Sequence, residues 1–495
     1  MDKRVSYKKT LRSTVIFGGA QAVQMLITIV RAKIIAVLFG SHGMGINAIF
    51  QSTVSIINGF SSFGIFQSGV RDISREFENG DKTKLTIISF VFKRMVVLSA
   101  LLGMLVCIVG AFWFSKMAFQ NLDYSVHFLI LSIGVFFNAL SNGETVLLQG
   151  TRNLTGLAKA SLIGALTSLL FSVPLFYYFG VLGIAIAITC SSLILFFSQF
   201  YCSRKIKVNK EIKVTFKESI DLATPILKLG TILMIGTVIL TGFTYLTNIF
   251  IGRFGKIEDV GFFQGISSIT TQSIAIIISI LASDFFPRLS AVFFDREKVK
   301  DTVNQQCELV SIIITPITVI LIVFAPIVVK LLLSTEFLIM VPMLRLLALS
   351  LLFKGIWLIM SYVILANGDK KSYLIYDSII GNGLLFVCNI LAYRFWGLEG
   401  LALSSFIASV TISIILTIVV KIKYKFFFNK GFLRILFVLI LLVVLTFLNV
   451  SILSRWPQYC VSFFLLFLSL GYSLFILNKS VNFIDKVMIF LKPKI

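Results

Sequence analysis

Long runs of apolar residues recur along the whole chain and constrain its fold more than any other feature. Each run has about 18 to 28 residues, and about 20 suffice for a helix to cross a bilayer. Only 14% of the residues are charged, where a soluble domain carries roughly a quarter. Membrane β-strands would instead be alternating segments of about ten residues. We therefore predict an all-α polytopic membrane protein.

The apolar runs divide into fourteen predicted transmembrane helices. An even number of spans places both ends of the chain on the same side of the membrane. We place the spans near residues 14–38, 44–68, 95–115, 125–149, 157–179, 181–202, 222–252, 260–286, 306–333, 337–366, 373–395, 397–420, 432–450 and 456–478.

The 45 lysine and arginine residues lie mostly in the loops that alternate spans place on one side. Because positive charge collects in cytoplasmic loops, we predict that both termini are cytoplasmic. The formal net charge of +23 then reflects topology and does not indicate nucleic-acid binding, which needs a soluble basic face. The six cysteines show no paired spacing, so we expect neither a disulfide framework nor a metal site.

Two similar heptads, FQSTVSI at 50–56 and FQGISSI at 263–269, indicate an internal duplication. FGVLGIAIA at 179–187 and WGLEGLALS at 396–404 recur at a similar offset. A six-helix unit re-enters the membrane from the same side, so two such lobes would be related by a pseudo-two-fold axis along the membrane normal. We predict an N-lobe at 1–203, a cytoplasmic linker at 204–221, a C-lobe at 222–420, and two extra spans with a cytoplasmic tail at 421–495.

Polar residues follow one face of several predicted spans. Helical spacing aligns polar residues on the second, eighth and fourth spans. In membranes such residues either line a water-filled cavity or join helices to one another, and the spacing alone leaves both open. The candidate cavity-lining residues are Gln51, Ser55, Asn58, Gln264, Ser268, Thr271 and Asn142.

Basic residues outnumber acidic ones inside the predicted spans. A charge at the bilayer centre costs about 2.5 to 3.5 kcal/mol on insertion scales, so each needs a partner, water or a route to the interface. We interpret Arg31, Lys228, Arg345 and Lys354 as a cationic cavity for an anionic ligand; snorkelling and salt bridges are the alternatives.

Two acidic residues, Glu144 and Asp377, lie inside the predicted spans. A carboxyl group in such a place can titrate, because burial raises its pKa and a nearby base lowers it. They are candidates for proton or sodium coupling; a static salt bridge to one of the intramembrane bases is the alternative.

Catalytic machinery is not evident in the sequence. It contains no G-x-x-x-x-G-K-[ST] loop for ATP. A membrane glycosyltransferase or polysaccharide polymerase would need a large outer loop with clustered carboxylates or arginines, and the longest loops are short and face inward. We therefore expect a secondary transporter without an enzymatic activity, a metal or a cofactor.

Several motifs carry a family resemblance. DVGFFQGISSI at 259–269 with PRLS at 287–290, VLFGSHGMGINAIFQSTVSI at 37–56 and LLQGTRNLTGLAKASLIG at 147–164 resemble bacterial O-antigen-type polysaccharide flippases. These belong to the multidrug/oligosaccharidyl-lipid/polysaccharide exporter (MOP) superfamily. The sequence departs from the family at Phe263, where relatives often have Trp, and in its two extra spans.

The resemblance implies a two-lobed flippase of the bacterial inner membrane. It would move an undecaprenyl-pyrophosphate-linked oligosaccharide from the cytoplasmic to the periplasmic leaflet by alternating access. A pyrophosphate suits Arg and Lys, and amides and hydroxyls suit a glycan. We expect a monomer, with a polysaccharide polymerase or other assembly proteins as candidate partners. The runner-up function is a cation-coupled multidrug exporter of the same superfamily, which would need a more acidic cavity.

Overall fold

The computed structural model describes residues 3–204, 216–280, 285–292, 295–452 and 456–481. Within these ranges the secondary structure is helical. The helices are α1 (Lys3–Ser61), α2 (Ile65–Asn79), α3 (Lys82–Phe119), α4 (Ser125–Gly150), α5 (Leu154–Phe179), α6 (Leu182–Ser203), α7 (Phe216–Phe254), α8 (Ile257–Ile280), α9 (Phe286–Val292), α10 (Arg296–Val323), α11 (Ala325–Leu332), α12 (Val341–Ala366), α13 (Lys370–Ser372), α14 (Asn382–Tyr424), α15 (Lys430–Ile452) and α16 (Trp456–Val481). A 3-10 helix at Thr335–Met340 precedes α12, and a π-helix at Tyr373–Gly381 joins α13 to α14.

The all-α membrane fold predicted from the sequence is confirmed. Eleven of the described helical segments are long and apolar enough to cross a membrane. Lys370–Tyr424 contains two predicted spans, Gly19–Ser61 covers most of two others, and α8 covers most of a further one. The fourteen predicted spans thus all have a helical counterpart, and large apolar side chains such as Val109 and Leu170 are exposed on their surfaces, as lipid-facing positions require.

Glycines with positive φ separate three pairs of consecutive spans. Gly40 (φ 62°, ψ −155°) interrupts α1, and Gly397 (φ 59°, ψ −140°) interrupts α14. Gly180, between α5 and α6, has φ 54° and ψ −132°. This backbone conformation is essentially restricted to glycine. Gly180 and Gly397 are equivalent positions of the repeated FGVLGIAIA and WGLEGLALS segments, so the duplication is visible in the backbone.

A second pair of glycines supports the same equivalence. A methyl group at Gly183 would collide with the carbonyl oxygen of Leu175, and one at Gly400 would collide with the carbonyl oxygen of Ala392. Gly183 and Gly400, like Gly180 and Gly397, are separated by the offset that relates the two repeated segments. The two turns therefore bring the helices that flank them together in the same way.

The described helices form two compact units, Met1–Gln264 (unit 1) and Gly265–Ile495 (unit 2). In unit 1, α6 packs between α4 and α5, α3 packs against α4, and α1 packs against α5 and α7. In unit 2, α10 packs against α12, α15 and α16, and α12 packs against α14. The boundary between the units falls within α8, whereas the predicted lobe boundary at 204–221 remains a prediction; residues 205–215 of that linker lie outside the described residues.

The main chains of α1 and α8 meet in a reciprocal crossing within unit 1. A methyl group at Gly45 would collide with the carbonyl oxygen of Ile257, and one at Gly261 would collide with that of Ser41. A glycine at the crossing point of each helix allows the two main chains to approach this closely. Beside the crossing, Nδ1 of His42 lies 2.9 Å from Oε1 of Glu258. Side chains thus reinforce a contact that glycines make possible.

Candidate functional site

Two adjoining cavities in unit 1 form a polar groove. The first, of about 390 Å³, lies between α1, α4, α5 and α6; the second, of about 260 Å³, lies between α1, α2, α4 and α7. They share Gln51, Val54 and Asn138, and so adjoin at the second half of α1. The polar side chains lining the groove are Gln24, Thr28, Arg31, Asn47, Gln51, Ser55, Asn58, Ser62, Asn138, Asn142, Ser168, Ser191, Ser192 and Thr237.

Arg31 provides the positive charge of the groove. Its Nη2 donates to the hydroxyl groups of Ser172 and Ser191 and, at 3.5 Å, to the carbonyl oxygen of Ser168. These acceptors are neutral, and among the described residues no carboxylate oxygen lies within 4.0 Å of the guanidinium. The serines orient the group without neutralising it, so its charge remains available to an anion.

An amide cluster from α1 and α4 lines the second cavity. Nδ2 of Asn58 and Nδ2 of Asn142 both donate to Oδ1 of Asn138, each at 3.1 Å. Oδ1 of Asn58 is buried without a hydrogen-bond partner in the described structure. Because an orphaned buried acceptor is costly, this oxygen is a position where a hydroxyl donor would be favourable.

The predicted polar face of the second span lies along this groove. Gln51 lines both cavities, and Ser55, Asn58 and Asn142 line the second. The preceding residue, Phe50, is fully buried and packs edge-on against Phe119 and Phe128. The aromatic ring therefore fixes the helix rotation that turns Gln51 toward the groove.

The corresponding residues of the eighth span have other surroundings. Nε2 of Gln264 donates to Oδ1 of Asn248 at 2.7 Å, and the hydroxyl of Ser268 donates to the carbonyl oxygen of Gly265. Thr271 is exposed. Gln264 belongs to unit 1 but does not line its groove, and Ser268 and Thr271 belong to unit 2.

The four predicted cations are distributed over α1, α7 and α12. Arg345 and Lys354 lie on α12 of unit 2, whereas Arg31 lies in unit 1. Nε of Arg345 donates to the carbonyl oxygen of Ile322 at 3.3 Å. Lys354 is half-buried, and no described carboxylate oxygen lies within 4.0 Å of it. Lys228 lies on α7, and its side chain is outside the described residues.

The two predicted intramembrane acids have different partners. Glu144 is buried on α4, and its Oε1 lies 3.7 Å from Nζ of Lys93 in an ion pair. Lys93 is a base outside the predicted set. Asp377 lies in the π-helix and accepts from Nε1 of Trp357 at 2.8 Å and from the hydroxyl of Ser361 at 2.5 Å. Glu144 is therefore paired with a cation, while Asp377 accepts hydrogen bonds from the neutral side chains of Trp357 and Ser361.

Sequence reasoning missed much of the first cavity. Gln24, Thr28 and Arg31 share one face of α1 at spacings of four and three residues, a signal that helical periodicity could have revealed. The serines of α5 and α6 gave no comparable signal. Ser hydroxyls in membrane helices usually donate to their own helix backbone, and only the packing shows that Ser172 and Ser191 converge on Arg31.

Comparison with known proteins identifies the family. Residues 34–342 match the family model described as polysaccharide biosynthesis protein, which is more than half of the chain. The chain belongs to this family. Residues 266–470 also match the model described as lipid II flippase MurJ. No curated protein matches the chain.

Solved structures of the MOP superfamily share the fold. An inward closed structure of lipid II flippase MurJ superposes with a TM-score of 0.71, at 17% identity over 94% of this chain and 99% of that chain. An inward-facing multidrug resistance MATE family transporter superposes with a TM-score of 0.69, at 18% identity over 81% of this chain and 94% of that chain. A MOP superfamily transporter from Pyrococcus furiosus superposes with a TM-score of 0.61, at 16% identity over 84% of this chain and 95% of that chain.

These likenesses confirm the predicted two-lobed fold of the MOP superfamily. At such low identity they carry the fold alone. The MurJ structure covers more of the chain than the two transporter structures do, and the MurJ model extends to residue 470, within α16. The two extra spans of the sequence therefore have counterparts in a MurJ-like architecture.

Proposed function

We propose that this member of the polysaccharide biosynthesis family is a flippase for an undecaprenyl-pyrophosphate-linked oligosaccharide, the repeat unit of an O-antigen or similar surface polysaccharide. It would carry this lipid from the cytoplasmic to the periplasmic leaflet of the bacterial inner membrane by alternating access, with both termini in the cytoplasm. The observation that carries the proposal is Arg31, a cation held by serines in a groove whose other polar lining residues carry amides and hydroxyls.

The chemistry of the groove fits the two polar parts of such a substrate. A guanidinium binds phosphate oxygens through paired donors. Asn and Gln side chains both donate and accept, so they can bond the hydroxyl groups of a glycan. The isoprenoid chain can remain in the bilayer. A cationic drug would be repelled by Arg31, which counts against the multidrug alternative.

Substitution of Arg31 tests the proposal. In a cell whose surface polysaccharide depends on this protein, Arg31→Gln should reduce export at least about tenfold, since a charge-assisted hydrogen bond contributes about 1.5 to 3 kcal/mol. Arg31→Lys should retain part of the activity, and the lipid-linked oligosaccharide should accumulate in the inner leaflet.

Arg253→Gln is the matched control, because Arg253 is an exposed arginine of the same unit and lies outside the groove. Export by Arg253→Gln should equal that of the wild type. Normal export by Arg31→Gln at normal protein abundance would contradict the proposed anion site.

We further propose that Asp377 serves ion coupling, while Glu144 is structural. Asp377 has neutral donors around it and lies in a π-helix, a distortion frequent at functional sites; Glu144 is already paired with Lys93. In proteoliposomes, Asp377→Asn should abolish the dependence of flipping on a proton or sodium gradient, and Glu144→Gln should leave that dependence intact. The reverse pattern would exchange the two roles.

A further inference from the structure

A third cavity lies in unit 2, at one end of the two extra spans. It has a volume of about 530 Å³ and is formed by the first turns of α10, the start of α15 and the last turns of α16. It shares no lining residue with the groove of unit 1. The proposed function leaves this cavity without a role.

Charges of both signs line this cavity on separate walls. Asp301 and Glu308 lie seven residues apart on α10, which places them on one helix face. Arg434 on α15 and Lys479 on α16 line the other walls. The four charged side chains sum to zero, so the cavity suits a ligand that carries one positive and one negative group.

The floor of the cavity is apolar. Ile435 and Ile476 line it and pack with Ile312, Leu439 and Tyr472 in a hydrophobic cluster. Next to it on the outer surface of α15 and α16, the large apolar side chains Leu433, Phe437 and Phe475 are exposed. A ligand with a charged head and an apolar body would find both surfaces here.

Asn304 holds the rim of the cavity in place. This buried side chain donates to the carbonyl oxygens of Lys300 at 2.7 Å and Phe427 at 3.4 Å. Its Oδ1 accepts from the backbone N–H of Asn429 at 2.8 Å. The connection between α14 and α15 is thereby fastened to α10, so the cavity walls are positioned without a ligand.

We propose that this cavity binds the headgroup of a zwitterionic phospholipid with a primary amine, of the phosphatidylethanolamine type. Its phosphate contacts Arg434 and Lys479, and its ammonium contacts Asp301, on the wall that also carries Glu308. The acyl chains lie along the exposed apolar side chains of α15 and α16. A primary ammonium donates three hydrogen bonds and a trimethylammonium donates none, so choline lipids bind less well, and the two carboxylates repel an anionic headgroup.

Native mass spectrometry of the delipidated full-length protein tests this inference. The protein is titrated with lipids of identical acyl chains and ethanolamine, glycerol or choline headgroups. The ethanolamine lipid should be retained at least about tenfold more tightly than the other two, because hydrogen bonds to charged groups contribute most of the selectivity. Equal retention of all three headgroups by the wild type would overturn the proposal.

Two substitutions assign the selectivity to the cavity. Arg434→Gln should weaken binding of both the ethanolamine and glycerol lipids, whereas Asp301→Asn should weaken the ethanolamine lipid selectively and shift the preference toward the glycerol lipid. Arg394→Gln, at an exposed arginine of unit 2 outside the cavity, should change neither. Unchanged selectivity in both cavity variants would overturn the assignment, and if a variant does not fold, the wild-type headgroup preference decides alone.

Discussion

At the scale of single residues, the charged side chains inside this protein have different kinds of partner. Arg31 is held by two serine hydroxyls, and Glu144 is paired with Lys93. Sequence reasoning identified both charged residues, because charges in apolar runs are conspicuous. It could not name the partners, which lie 51 to 160 positions away along the chain, and hydroxyls in particular leave no charge pattern.

The ion pair between Lys93 and Glu144 predicts unequal effects of its two halves. Lys93 is about half exposed and Glu144 is buried, with Oε2 lacking a described partner. Lys93→Gln leaves a buried carboxylate without a cation and should lower the free energy of unfolding by about 1 to 3 kcal/mol. Glu144→Gln leaves a solvated ammonium and should cost less. Denaturation in detergent measures the free energy of unfolding of the two single variants and the double variant. A double variant whose loss of this free energy equals the sum of the two single losses would contradict the pairing of Lys93 with Glu144.

Asp369, in the connection between α12 and α13, predicts a pH dependence. Hydrogen bonds from Ser372, opposed by desolvation and assisted by Tyr424 and Lys423, lower the pKa of Asp369 from 3.8 to about 2. A lowered folded-state pKa contributes stability that is present above about pH 4 and is lost as the pH falls toward 2. Because the carboxylate is partly exposed, we expect a contribution of about 1 kcal/mol.

Asp369→Asn isolates that contribution, because Asn still caps a helix but carries no charge. The wild type should be the more stable protein from pH 7 to about pH 4, and the difference should shrink below that pH. Thermal unfolding in detergent across this range measures it. A difference that grows on acidification would have the wrong sign for a lowered pKa.

At the scale of elements, the repeated segments explain why two turns share one backbone shape. The similarity of FGVLGIAIA to WGLEGLALS predicted equivalent positions, and the φ and ψ values of Gly180 and Gly397 agree within about ten degrees. The conformation itself was not predictable, since a glycine in an apolar run is as compatible with an uninterrupted helix as with a turn.

Alanine substitution tests the need for glycine at these turns. Gly180→Ala and Gly397→Ala should each lower the free energy of unfolding by about 1 to 3 kcal/mol, because the conformation is strained for any residue with a Cβ atom. Gly471→Ala in α16 is the control: its Cβ would meet open space, and its φ is not positive. That variant should be as stable as the wild type or slightly more so. Equal stability of all three variants would contradict the role of the turns.

At the scale of the whole molecule, hydropathy predicted the spans but not the contacts between them. The fourteen spans follow from the length of each apolar run. The grouping of the helices into units does not follow from hydropathy, because α7 packs against α1, α2 and α3 of unit 1 although the repeat assigns it to the second lobe. Sequence similarity records the duplication, whereas packing depends on complementary surfaces such as Gly64 against Gly230.

The predicted topology gives a further test. With cytoplasmic termini, the connection between α3 and α4 faces outward, and the connection between α14 and α15 faces inward. In a cysteine-free background, Asp123→Cys should react with a membrane-impermeant thiol reagent applied to intact cells, and Phe427→Cys should react only after permeabilisation. Both positions are exposed. The opposite pattern would invert the orientation of the whole chain.

The reciprocal crossing of α1 and α8 has a genetic consequence. The atom that a methyl group at Gly261 would strike is the carbonyl oxygen of Ser41, and the atom facing Gly45 is the carbonyl oxygen of Ile257. A carbonyl oxygen is present whatever side chain the residue carries. Replacing Ser41 or Ile257 therefore cannot make room for a larger residue, and a selection for intragenic suppressors of Gly261→Ala should recover reversion to glycine rather than compensating substitutions at the opposing residues.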